Sequence, residues 1–247
     1  GYSHQNGDCD DNDPDNAQIC LDFWDGISIS GAAKGVVHNN DRDRFANVFA
    51  QGEINGIRHF VFGTAYRKYS NSNLRGGVFL FDDLLSVGDT TEATLTINGT
   101  SSVSALGTAL VIDDVTQDGI NDVLVSATNS PPALYVFSGD ALLGLGPLID
   151  EDDATYSVTS SGLGNRMGQR VYFSDVTQDG VSDLIFDVYK SDQVAVIPNG
   201  VTADIVLENN SSASDYFFIE GEGGSSEFGL SMEVTDIDHD GVSDLIV

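Results

Sequence analysis

The chain is short of positive charge. Ten Lys and Arg stand against 39 Asp and Glu, for a formal net charge of −29. A nucleic-acid binder needs a cationic footprint, so that class is excluded, and an anionic membrane surface is disfavoured for the same reason. Cysteine is nearly absent. Cys9 and Cys20 both lie in one Asp-rich segment and none follows. They form a local disulfide, as in an oxidising compartment, or stay as two free thiols. Five Pro accompany 27 Gly, a mix that suits tight turns between short strands. No apolar run approaches the ~20 residues of a membrane-spanning helix. No signal peptide is visible, and the chain begins at Gly1 rather than Met, as one whose leader has been removed does. There is no Gly-x-Ser-x-Gly elbow and no His-Glu-x-x-His motif. His4, His38, His59 and His239 show no site-like spacing. The chain is therefore read as no enzyme.

What is present is a repeat. Three segments align without gaps: Asp114-Val-Thr-Gln-Asp-Gly-Ile-Asn-Asp122, Asp175-Val-Thr-Gln-Asp-Gly-Val-Ser-Asp183 and Asp236-Ile-Asp-His-Asp-Gly-Val-Ser-Asp244. Each begins 61 residues after the one before. Gly107, Gly168 and Gly229 stand at the same offset upstream, and Gly139 and Gly200 share one downstream. Sixty-one residues before Asp114 lies Glu53, in a segment that reads as a worn copy. Its loop is about two residues shorter and lacks the central Asp-Gly and the last Asp, while Phe45-Ala46 stands where the upstream column predicts. This copy is expected to keep its strands and to have lost its metal.

Around each loop the pattern is β. Short runs such as Ala109–Ile112 and Val171–Phe173 precede the loops, and Val123–Val125, Leu184–Phe186 and Leu245–Val247 follow them. A third run is Val78–Phe81, Leu134–Phe137 or Val194–Ile197, and a fourth is Ala93–Ile97, Thr155–Val158 or Asp215–Ile219. Runs this short, rich in Val, Ile, Phe and Tyr and bounded by Gly, Asn and Asp, predict strands. Four strands per ~61 residues match the blade of a β-propeller. A chain of 247 residues with 40% hydrophobic residues can bury a sizeable core of this kind.

The upstream Leu-Gly, Met-Gly and Phe-Gly pairs, the Asp loops and the flanking apolar strands resemble the FG-GAP repeat, the blade of integrin-α-like propellers. The resemblance covers roughly residues 31–247. The Gly-Ala-Pro element of that family is replaced by Ser126-Ala-Thr128 and Asp187-Val-Tyr189. The resemblance implies an all-β fold of four-stranded blades and Ca2+ in each loop. Calcium takes six to eight oxygen ligands in a flexible cage, and positions 1, 3, 5 and 9 of the loop, with the carbonyl of position 7, supply oxygens. The expected ligands are Asp114, Thr116, Asp118, the Ile120 carbonyl and Asp122; Asp175, Thr177, Asp179, the Val181 carbonyl and Asp183; and Asp236, Asp238, Asp240, the Val242 carbonyl and Asp244. Zinc is not expected, because no Cys or His gathers at these loops, and His239 is expected to face solvent.

Residues 1–30 form a separate Asp/Cys-rich segment. Its core, Asp8-Cys9-Asp10-Asp11-Asn12-Asp13-Pro14, resembles the calcium motif of thrombospondin type 3 repeats, which implies Asp8, Asp10, Asn12 and Asp15 as further ligands. The rest holds one worn repeat, two full repeats and half of a fourth, about three and a half blades. A ring closes with roughly four to eight, so the ring is incomplete within this chain, and a longer protein or other chains complete it. The expected function is a secreted or surface-attached calcium-binding module that binds a protein or glycan in adhesion. The alternative is a structural subunit of an extracellular filament or coat, made of copies of itself. A polysaccharide-active enzyme is the third reading, with no motif behind it. Sequons stand at Asn98, Asn209 and Asn210, and there is no Arg-Gly-Asp.

Overall fold

The computed structural model describes residues 46–65, 75–82, 93–100, 104–129, 131–163, 166–189, 191–208, 213–223 and 228–247. The expected ligands Asp8, Asp10, Asn12 and Asp15, the cysteines Cys9 and Cys20, and the sequons at Asn209 and Asn210 lie outside them. The fold is all-β.

The first sheet is an antiparallel meander of β1 (Val48–Ile54), β2 (Ile57–Gly63), β3 (Gly77–Phe81) and β4 (Leu95–Asn98). The second repeats it with β5 (Leu106–Asp113), β6 (Asp122–Ala127) and β7 (Ala133–Phe137). Between β7 and its fourth strand, the chain makes a short helix, α1 (Gly139–Leu142), and a strand, β8 (Leu148–Asp150). The fourth strand is β9 (Tyr156–Ser161). The third sheet runs β10 (Arg166–Ser174), β11 (Asp183–Tyr189) and β12 (Gln193–Ile197); then β13 (Ile205–Glu208) intervenes before β14 (Phe217–Glu220). The fourth holds β15 (Glu233–Thr235) and β16 (Asp244–Ile246).

The strands predicted from apolar runs are all found. The structure adds two that period and pattern did not predict. Strand β8 leaves its own sheet and pairs in parallel with β4 of the sheet before, and β13 pairs in parallel with β9 in the same way. Each strap is fastened by a carboxylate. Glu151, buried just after β8, accepts the Thr100 N–H (2.7–2.8 Å) and hydroxyl (2.8 Å). Asp204, just before β13, accepts the Ser157 N–H (2.8 Å) and hydroxyl (3.1 Å). The straps are too short and too plain to announce themselves. Three or four residues with no partner in their own sheet carry no period of their own.

Sheets stack face to face. One apolar layer joins Val61, Val78, Leu80 and Ile97 of the first sheet to Leu110, Val123, Val125 and Phe137 of the second. The next joins Leu124, Leu134 and Val136 to Leu184, Phe186 and Ile197. The third joins Ile185, Val194 and Val196 to Met232, Val234 and Leu245. The middle strands β6 and β12 are therefore buried on both faces and read as continuous apolar runs. The opening strands are neighbours: β5 lies against β1 and β2, and β10 against β5 and β6.

The upstream glycine column has a backbone reason. Gly107, Gly168 and Gly229 have φ of 86°, 72° and 81°, and Ala46, in the same column of the worn copy, has φ 57°. Left-handed φ suits glycine and strains alanine. At Gly107 a Cβ would also lie 2.6 Å from the Gly77 carbonyl oxygen. Just after this turn the ladder slips, between Leu106 and Leu110 and between Met167 and Val171. The slip leaves a backbone amide to satisfy. Ser126 accepts the Ala109 N–H (2.8 Å), and Asp187 accepts the Arg170 N–H (2.7 Å). These are the residues that stand where the FG-GAP pattern, which the sequence resembles, has Gly-Ala-Pro. Their side chains cap the bulge.

Candidate metal centre

The three Asp loops join the first strand of a sheet to the second, and their backbones coincide. Position 4 is left-handed at Gln117 (φ 61°), Gln178 (64°) and His239 (62°), and position 6 at Gly119, Gly180 and Gly241 (90°, 90° and 91°). None of these three glycines has an atom within 4 Å of where a Cβ would sit, so glycine is required by φ and not by crowding. His239 is exposed, as expected.

The position-1 carboxylate organises each loop. Asp114 accepts the N–H groups of Asp118 and Gly119 (2.9 Å each). Asp175 accepts those of Gln178 (2.7 Å), Asp179 (3.2 Å) and Gly180 (2.8 Å), and Asp236 those of Asp240 (3.1 Å) and Gly241 (3.0 Å). Position 5 caps position 7: Asp118, Asp179 and Asp240 accept the N–H of Ile120, Val181 and Val242 at 2.8–2.9 Å. These bonds use the N–H of position 7 and leave its carbonyl, the expected ligand, unspent.

Position 9 faces inward. Asp122 and Asp183 are fully buried. Asp122 accepts the Thr116 N–H (2.7 Å) from its own loop and the Gly139 N–H (3.0 Å) from beyond β7. Asp183 does the same with Val176 and Thr177 (2.9 Å each) and Asn199 (3.2 Å). Gly139, and in the next repeat Asn199 beside Gly200, thus mark where the third strand's exit closes over the loop. Burial pushes the Asp122 carboxyl above the usual range; the Gly139 and Thr116 amides pull it down, and the nearby Asp118 charge adds to the rise. The cost of burying this charge falls if a cation stands beside it.

The donor set fits a hard cation. Asp236, Asp238 and Asp244 bring carboxylate oxygens within 4.8 Å of one another. Asp240 joins the loop through Val242 and is not part of that trio. In the first two loops position 3 is Thr, and their carboxylates form no trio at that distance among the described residues. The Thr116 hydroxyl oxygen is enclosed and has no hydrogen-bond partner among the described residues. Such an oxygen is costly unless something fills the loop. Thr177 differs, reaching Asp183 at 3.3 Å.

Position 8 carries a role not predicted from the motif. Asn121 donates to the Glu53 carbonyl (2.9 Å) at the end of β1, and Ser243 meets Ser174 (2.7 Å) at the end of β10. Small polar residues there tie one sheet's loop to the sheet before. The pairing could have been suspected from Asn, Ser and Ser recurring at one position. No protein-family model matches this chain, and no curated protein matches it.

Proposed function

We propose that the chain is a calcium-binding β-propeller module of the extracellular space that binds a protein or glycan ligand in adhesion. The observation that carries this reading is the repeated loop: three copies at one period, one backbone and one set of carboxylate roles, the third gathering Asp236, Asp238 and Asp244. The stacking of meanders with neighbouring first strands supports a blade-like arrangement. Ca2+ fits the oxygen-only donor set, and weak sites of this kind fill where calcium is millimolar, which is outside the cell. Carboxylates and carbonyls would hold the ion, and its charge would offset the buried Asp122 and Asp183.

Three sites with Kd of about 10⁻⁴–10⁻³ M would add roughly 4–8 kcal/mol at 10 mM calcium. At about 2–4 °C per kcal/mol, excess chelator should lower the Tm by roughly 10–30 °C, reversibly. A melting curve that chelator leaves in place overturns the reading. Capture of a glycan or protein partner only with calcium present would establish the adhesive role. A filament or coat subunit made of copies of this chain is the second reading. Ordered polymers of native material in micrographs would select it.

A further inference from the structure

The two ends of the strands differ in chemistry. At the loop end a cavity of about 720 Å³ is lined in part by Asp204 and Asp215. At the opposite end a smaller one, about 180 Å³, opens where the first three sheets meet. Asn47 reaches it from the start of the first sheet, Thr108, Thr128 and Asn129 from the second, and Arg166 and Gln169 from the third. None of the described residues that line it is acidic, in a chain where acids outnumber bases 39 to 10.

We propose that this pocket binds a small carboxylic acid in its ionised form. Its donors are unspent. The described structure gives no hydrogen bond or ion pair to the Arg166 guanidinium, nor to the side-chain amides of Asn47, Asn129 and Gln169. The two hydroxyls satisfy each other: Thr108 donates to the Ala105 carbonyl (2.7 Å), so in its 3.2 Å contact with Thr128 it accepts. What the pocket offers is therefore one fixed positive charge and a set of amide N–H groups around it. A planar guanidinium fork matches a carboxylate with two parallel bonds. A single cation suits a monoanion better than a doubly charged phosphate. The volume is below the ~300 Å³ of drug-sized sites, which selects a small acid.

The acidic surroundings do not forbid this. Asp187, the buried acid of β11, turns onto the Arg170 amide and does not line the pocket. The Asp loop of the second sheet lies about 20 Å away, six residues along β5 at ~3.3 Å each. That exceeds the ~8 Å screening length at physiological salt. The proposal stands apart from the cation reading, because no loop residue takes part.

The test is a titration of the full chain with sodium acetate, in calcium, followed by amide resonances, with acetamide and sodium chloride as controls. Acetate is expected to move the Asn129 and Gln169 signals to saturation, and neither control should. Arg166→Gln, at an exposed position, should weaken acetate binding about tenfold or more. Gln169→Ala should weaken it less. Shifts that do not saturate, that acetamide reproduces, that survive Arg166→Gln at unchanged affinity, or that map to Gly119, Gly180 and Gly241 in the loops would each overturn the proposal.

Discussion

The first sheet and the two that follow it solve one problem in two ways. Each must turn the chain from its first strand into its second. In the first sheet β1 and β2 pair on to Ile54 and Ile57, and Asn55-Gly56 closes the hairpin with both residues left-handed (φ 51° and 75°). That is the two-residue turn whose twist suits paired strands. Between the equivalent pairs Gly52–His59 and Asp113–Asp122 the worn loop has two residues fewer, as expected from sequence, and pairing takes up four of the six that remain. In the second and third sheets pairing stops at Asp113–Asp122 and Ser174–Asp183, and the loop between is held by carboxylates on backbone amides. The sheets are otherwise alike. The turn is therefore separable from the meander, and the long loop must have another use than closing a hairpin. The two kinds still touch, since Asn55 donates to the Gly139 carbonyl and Asn121 to that of Glu53.

This contrast can be broken by substitution. In excess chelator, Asp122→Ala should cost about 3 kcal/mol in denaturant unfolding, because it strands the buried Thr116 and Gly139 amides. Asn55→Ala in the tight turn should cost about 1 kcal/mol. Equal losses would mean that the Asp loop is no more dependent on its carboxylate than the turn is on Asn55.

A second comparison sets Ser126 against Asp187, which cap the same bulge. Burial raises the Asp187 pKa, with the Arg170 and Gln169 amides pulling the other way. A carboxyl whose folded pKa is raised contributes stability that is whole below the unfolded value, about 4, and is lost as pH rises through the folded pKa. Asp187→Asn keeps an acceptor for Arg170 and removes that loss. Its stability relative to wild type should rise from pH 4 to pH 7, and a difference that stays flat across that range would contradict the shift. The smallest expected effect is in the glycine column. Ala46→Gly relieves a left-handed alanine and should stabilise by about 0.5 kcal/mol, the strain of roughly 1 kcal/mol being partly offset by glycine's greater unfolded freedom. A thermal melt resolves it, and a loss of stability would show that the Ala46 side chain has packing worth more than its strain.

The strands were legible because their apolar runs are bounded by Gly, Asn and Asp, and the loops because the same nine positions recur at one spacing. The positive φ at position 6 follows directly from Gly119, Gly180 and Gly241. The straps were not legible, since Leu148–Asp150 and Ile205–Glu208 pair with strands about 50 residues earlier in the chain. Nor were the caps at Ser126 and Asp187, which looked only like a departure from the family pattern.

The order of residues along this chain determines what is local: where strands begin and end, where φ must be left-handed, and which acids share a loop. Those choices depend on neighbours within a few positions, so a one-dimensional pattern contains them. Tertiary structure alone decided that Asp122 and Asp183 lie fully buried, that Glu151 fastens a strap to Thr100, and that Arg166 shares a cavity with Asn47. Burial and long-range hydrogen bonds depend on which sheets stack, and residues over 100 positions apart meet only after that stacking.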